Sequence, residues 1–170
     1  MSLAVDTRGY DRRVVAAMRV LTTVHRVLDR VTGGRLTRRV AGADMVWLTV
    51  TGRRSGEPRR VPVVAARGTS TDGSPRFLVA GSRGGTERHP AWALNLRGHI
   101  DRGEPAELEV DGQRLQVDVR ELEGPERDAG YAEMIAAYRG FAGYERQTAR
   151  TIPVFELTVR KPRAAGATPR

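Results

Sequence analysis

The chain has 170 residues, about one domain's worth, of which 39% are hydrophobic and 29% charged. That balance excludes a disordered chain, and the lack of any apolar run near the ~20 residues of a membrane span excludes a transmembrane helix. The net charge is +9 and uneven: residues 1–60 carry 13 arginines against 5 acidic residues, which predicts an anionic partner, whether nucleic acid, membrane surface or polyanionic small molecule.

In chain order, Met1–Arg13 has no apolar stretch of the secretory kind. Residues 10–31 read as an amphipathic helix with Val14, Ala17, Met18, Leu21, Val24, Leu28 and Val31 on one face and Arg12, Arg19, Arg26 and Arg30 off it. It either packs on the core, covers a substrate pocket or touches a membrane surface. Met45–Thr51 reads as a buried strand, followed by a glycine–arginine turn, 52–58. Arg59–Arg67 is a second strand, in which Pro62 implies an edge or a bulge. Arg76–Ser82 is a third strand, and Pro90 opens a short helix running to Arg97. Pro105–Val110 and Arg114–Leu122 alternate as strands around Asp111-Gly112, a strong hairpin signal. Glu126–Tyr138 is helical, Phe141–Thr148 a further helical turn, and Pro153–Arg160 a last strand. Pro162–Arg170 has no periodicity and is expected to be disordered. The expected organisation is an N-terminal helical segment (1–44), an α+β cofactor-binding domain (45–161) and a tail (162–170). Six strands mostly in hairpin order predict a small, mostly antiparallel barrel, and the absence of a strand–GxGxxG–helix unit argues against a dinucleotide-binding sheet.

Elimination narrows the chemistry. The single lysine, Lys161, lies beside Pro162, so neither a P-loop nor a Schiff-base lysine is available. The absence of cysteine excludes disulfides, thiolate metal sites and a cysteine nucleophile, and fits a reducing cytoplasm. His25, His89 and His99 have no metal-ligand spacing, and no serine sits in a GxSxG elbow. An enzyme built this way needs an organic cofactor.

Two loops could hold its anionic groups. The first runs from Thr51 to Arg60, where glycines and four arginines surround Thr51 and Ser55. The second, Ser82-Arg83-Gly84-Gly85-Thr86-Glu87-Arg88-His89, feeds the N-terminus of the helix that carries Trp92 and Asn95. Each loop also reads as a solvated basic turn, His89 as a cap, and Trp92 as core. Tyr138, Phe141 and Tyr144, three residues apart, line one side of a helical segment, as core or as a substrate pocket. A nucleic-acid-binding domain is the alternative from another class, disfavoured by 5% aromatic content and the lack of a nucleic-acid motif.

Three blocks, TVTGRRSGEPRRVPV (49–63), FLVAGSRGGTERHPAWALNLR (77–97) and MIAAYRGFAGYERQTARTIPVFEL (134–157), resemble in order and spacing the deazaflavin (F420)-dependent nitroreductase and quinone reductase family. The resemblance implies a six-stranded split β-barrel and hydride transfer from coenzyme F420 to a quinone, nitro compound or other activated acceptor. A homodimer is a further expectation, the alternative is a barrel that binds FMN or holds deazaflavin without catalysis, and no metal or nucleic acid is expected. It implies cofactor contacts from Arg53, Arg54, Ser55 and Arg59, and from the following strand Val61, Pro62, Val63, Val64 and Ala65. It adds Ala80, Gly81, Ser82 and Arg83 of the second loop, and Ala91, Trp92 and Asn95 of the short helix. Tyr138, Phe141 and Tyr144 fall on the family's substrate side and are the candidate catalytic residues. Phe141 departs from the pattern, because a relative that reduces nitro drugs has tyrosine there.

Overall fold

The computed structural model describes Ala16, Arg39–Val40 and residues 43–161. The expected N-terminal helix and the expected tail therefore lie outside the described residues, apart from Ala16, which is helical. The strands are β1 (Arg39–Val40), β2 (Ala43–Thr51), β3 (Pro58–Thr69), β4 (Pro75–Ala80), β5 (Ala106–Val110), β6 (Gln113–Glu121) and β7 (Val154–Val159). The helices are α1 (Ala91–Arg102), α2 (Gly124–Ala137) and α3 (Phe141–Tyr144), with short 3-10 turns at Arg83–Gly85 and Glu145–Gln147.

The strand order is β1-β2-β3-β4-β7-β6-β5, and a β2–β5 pairing closes β2 to β7 into a six-stranded barrel, as expected. Every pairing in it is antiparallel. The two-residue β1 is an addition that pairs with the start of β2.

Strand parity distributes the side chains between two cores. Phe77 and Val79 of β4 and Phe155 and Leu157 of β7 pack inside the barrel with Val46, Leu48, Leu108 and Val117. Ala93 and Leu96 of α1 join this core. The intervening Leu78, Ala80 and Val154 face outward, where α2 and α3 cover them with Tyr131, Met134 and Phe141.

β3 changes partners along its length. Pro58–Val64 pairs only with β2, and Ala65–Thr69 pairs with β4. Pro62 therefore lies in the half with one neighbour, where a missing N–H costs no bond on a second side, and the expected edge is found. Asp111 and Gly112 have φ of 52° and 82°, the left-handed pair that a tight β5–β6 turn requires.

Helix boundaries differ from expectation. Pro90 is the cap rather than the first helical residue, and α1 continues to Arg102, ending at Gly103 with φ 63°. Gly98 falls mid-helix and concealed this extension, since glycine weakens a helix without ending it. α2 starts at Gly124 and stops at Ala137, so Tyr138 leaves the helix in extended conformation. The tyrosine–phenylalanine series is thus not a stripe on one helix: it spans the end of α2 and both ends of α3.

Candidate functional site

Two glycine–arginine loops meet on α1. In the first, the N–H groups of Ser55 and Gly56 donate to Gly52 O at 3.1 and 2.8 Å, and the Gly52 N–H donates to Glu57 O at 2.8 Å. The Ser55 hydroxyl accepts from Glu57 N–H at 3.3 Å and from the Arg59 guanidinium at 3.2 Å. Arg53, Arg54 and Arg59 are exposed, and none makes an ion pair among the described residues.

Helix α1 fixes this loop from behind. Asn95 is buried and its Oδ1 accepts from the Arg53 N–H at 3.2 Å. One turn on, buried His99 accepts from Thr51 N–H through Nε2 at 2.8 Å and donates through Nδ1 to Pro105 O at 2.9 Å. Those two partners select the tautomer with hydrogen on Nδ1. His99 thus ties the end of β2 to the approach of β5. His99→Leu strands the Thr51 N–H and the Pro105 carbonyl, both partly buried, so we expect a loss of about 2–4 kcal/mol. Urea denaturation checks this: the midpoint falls with an unchanged slope.

The second loop follows β4. Gly81 is packed so closely that a Cβ would lie 2.9 Å from Pro153 and 3.1 Å from Ala93. Arg83, Gly84 and Gly85 have φ of 50°, 65° and 76°, a left-handed run in which Arg83 is strained. A Cβ on Gly85 would lie 2.9 Å from Tyr144 O, so this loop rests on the end of α3. Arg150, which sequence reasoning passed over, binds the loop from beneath: it donates to Gly81 O, Ser82 O and Thr86 O and to His89 Nδ1. Burial and the nearby Arg150 and Arg97 hold the His89 pKa below its ordinary value of 6.5. His89 is thus an acceptor inside the loop rather than a helix cap.

The aromatic group is a packed cluster. Phe141 meets Tyr131, Tyr138 and Tyr144 edge-to-face, with centroids 6.1, 5.7 and 5.5 Å apart. Its ring is buried and packs behind the partly exposed Tyr138 and Tyr144. The Tyr131 hydroxyl donates to Phe141 O at 2.9 Å, and burial pushes its pKa up to about 12.

The remaining predicted residues divide by strand parity. Val63 and Ala65 lie inside the barrel core and Val61 packs against it, so these side chains are structural. Val64 packs outward on the second core, and Pro62 is half-buried on the open half of β3. Ala80 belongs to the outer core, and Ser82 is buried at the root of the second loop. Ala91 is exposed at the start of α1. Trp92 meets Phe155 of the barrel core edge-to-face, centroids 6.2 Å apart, as the core reading expects. The geometry therefore brings Arg53, Arg54, Ser55 and Asn95 together on one side of α1. The second loop, through Gly85, meets the backbone of Tyr144, and Val63 and Ala65 lie in the barrel core.

The sequence pattern of the F420H(2)-dependent quinone reductase family matches residues 19–159. A protein of Mycobacterium tuberculosis named F420H(2)-dependent quinone reductase is 30% identical over 144 residues, covering 82% of this chain and 91% of that relative. Among solved structures, an F420-H2 dependent reductase (FDR-A) is 31% identical, covers 66% of this chain and 92% of that one, and superposes with a TM-score of 0.55. A structure described as a domain-swapped dimer is 29% identical, covers 79% of this chain and 93% of that one, and has a TM-score of 0.58.

Proposed function

The chain belongs to the F420H(2)-dependent quinone reductase family, and from that membership we propose that its two glycine–arginine loops hold F420 while Tyr138 and Tyr144 face the quinone. The observation that carries this reading is the loop pair on α1. Arg53, Arg54, Arg59 and Arg83 make no ion pair among the described residues, which suits a cofactor bearing a phosphate and several carboxylates.

The reduced deazaflavin, when bound, supplies the hydride. The chain's own residues bind and orient. Arg54 and Arg83 hold anionic groups, Asn95 fixes the Arg53 backbone, and the open half of β3 with Pro62 borders the ring system. Tyr138 and Tyr144 contribute hydroxyl donors to an acceptor oxygen gaining negative charge, and Phe141 sets their positions from behind. The aromatic cluster also excludes water from that side.

Steady-state turnover with reduced F420 tests the acceptor assignment. We expect a soluble menaquinone analogue to be reduced faster than a nitroaromatic, since a quinone accepts hydride readily with few added donors. Tyr144→Phe should lower quinone turnover by about 5- to 100-fold with little change in cofactor affinity. Faster nitro reduction, or wild-type turnover in Tyr144→Phe, overturns the substrate side of this reading.

Two further parts concern assembly and location. A homodimer is supported by the relative described as a domain-swapped dimer, and sedimentation of the full chain tests it. No helix among the described residues is long and apolar enough to cross a membrane. Contact with a membrane surface through the amphipathic 10–31 segment suits an acceptor carried in lipid, and co-sedimentation with anionic vesicles tests that contact.

A further inference from the structure

We propose that Arg150 is a positioning residue for the second loop: its guanidinium holds the Gly81–His89 backbone in the form that offers an anion the Arg83 N–H and side chain. The proposal rests on the reading that this loop holds anionic groups of F420.

Arg150 lies in the irregular segment before β7, and that segment is itself tied to the loop, because Ala149 N–H donates to Glu87 at 3.2 Å. From there the planar guanidinium uses all its nitrogens. Nε donates to Thr86 O at 2.8 Å, Nη2 to Gly81 O at 3.0 Å and Ser82 O at 2.7 Å, and Nη1 to His89 Nδ1 at 3.1 Å. A lysine ammonium cannot span acceptors laid out in that fork.

Peptide planarity turns these bonds into a statement about donors. A carbonyl pointing at Arg150 sends the next N–H the opposite way. The Gly81 and Ser82 carbonyls therefore orient the N–H groups of Ser82 and Arg83 away from the guanidinium. Ser82 N–H turns back onto Ala80 O at 2.9 Å. Arg83 N–H has no hydrogen-bond partner among the described residues. The Arg83 and Arg150 guanidiniums feel each other's charge. Arg83 also has a φ of 50°, which costs energy for any residue with a side chain. The bonds from Arg150 on both sides of Arg83 hold it there.

His89 reports on this arrangement. It faces Arg150, Arg97 of α1 and Glu121 of β6, and is preceded in the chain by Glu87 and Arg88. With Nδ1 accepting from Arg150 it must be uncharged. A proton on Nδ1 would set an N–H against a cation, so acid should loosen the loop.

The test uses Arg150→Gln and Arg150→Lys in the full chain, with near-UV circular dichroism to confirm folding. Three readouts apply: hydrogen exchange of the Gly85 amide, which donates to Ser82 O at 3.0 Å, the His89 titration by NMR, and F420 affinity by fluorescence. In Arg150→Gln we expect exchange to speed about tenfold or more, the His89 midpoint to rise toward 6.5, and F420 affinity to fall about 10- to 100-fold. Arg150→Lys, which keeps the charge without the fork, should lose most of the same affinity. It carries the test alone if Arg150→Gln does not fold. Unchanged exchange and an unchanged His89 midpoint overturn the proposal, as does wild-type affinity in Arg150→Lys. The exchange and titration need no cofactor, so a wild-type protein that fails to bind F420 strikes the cofactor reading separately.

Discussion

Replacing Arg54 and Arg83 together by alanine should nearly abolish F420 binding. The two side chains belong to different loops, which converge on α1 through Asn95 and through Pro90, and neither makes an ion pair among the described residues. Neither side chain makes a hydrogen bond or ion pair among the described residues, so their loss should cost little stability. A charge-assisted hydrogen bond contributes enough that each single variant should weaken binding about 10- to 150-fold. Side chains in separate loops that do not touch each other act nearly independently, so the double variant should lose about 100- to 20,000-fold. Salt should weaken binding of wild-type protein and leave the double variant less affected. Fluorescence titration at two ionic strengths measures all four proteins. Wild-type affinity in both folded single variants would return the loops to solvated basic turns.

Phe141→Ala should have the largest effect on stability. The ring is 4% exposed and touches three tyrosines, and the outer core also depends on it for contact with α2. Truncating a buried phenylalanine costs about 3–5 kcal/mol, a transfer loss plus a cavity. Urea denaturation should show it directly. Because Tyr138 and Tyr144 lean on this ring, quinone turnover by the folded fraction should fall as well. A loss below about 1 kcal/mol would mean that the cluster collapses without strain and that Phe141 is not its centre.

Sequence patterns with one physical cause proved readable. Asp111-Gly112 fixes a tight turn whatever surrounds it, and Pro62 can sit only where a strand has one neighbour. The strands could be read because alternation maps directly onto the inside and outside of a barrel. Features depending on distant partners were hidden. His99 is one turn beyond Asn95, but its role exists only because Thr51 and Pro105 arrive beside it. Arg150 lies within a block that resembles the family, yet a single arginine carries no local sign that it will meet three carbonyls from residues 81–86. The spacing of Tyr138, Phe141 and Tyr144 suggested one helical face, although the chain leaves the helix at Tyr138 and tertiary packing regroups the rings. The resemblance assigns Val63 and Ala65 to the cofactor set with the rest of their strand, while parity places their side chains in the core.

The central claim is that this barrel passes hydride from F420, and not from a flavin, to a quinone. It is tested most directly by mixing the protein with a menaquinone analogue and either reduced F420 or reduced FMN, and following reoxidation of each by its visible absorbance without oxygen. The account predicts protein-dependent oxidation of reduced F420 that saturates with quinone, and little acceleration with FMN. Equal or faster turnover with reduced FMN, or none with reduced F420, would contradict it.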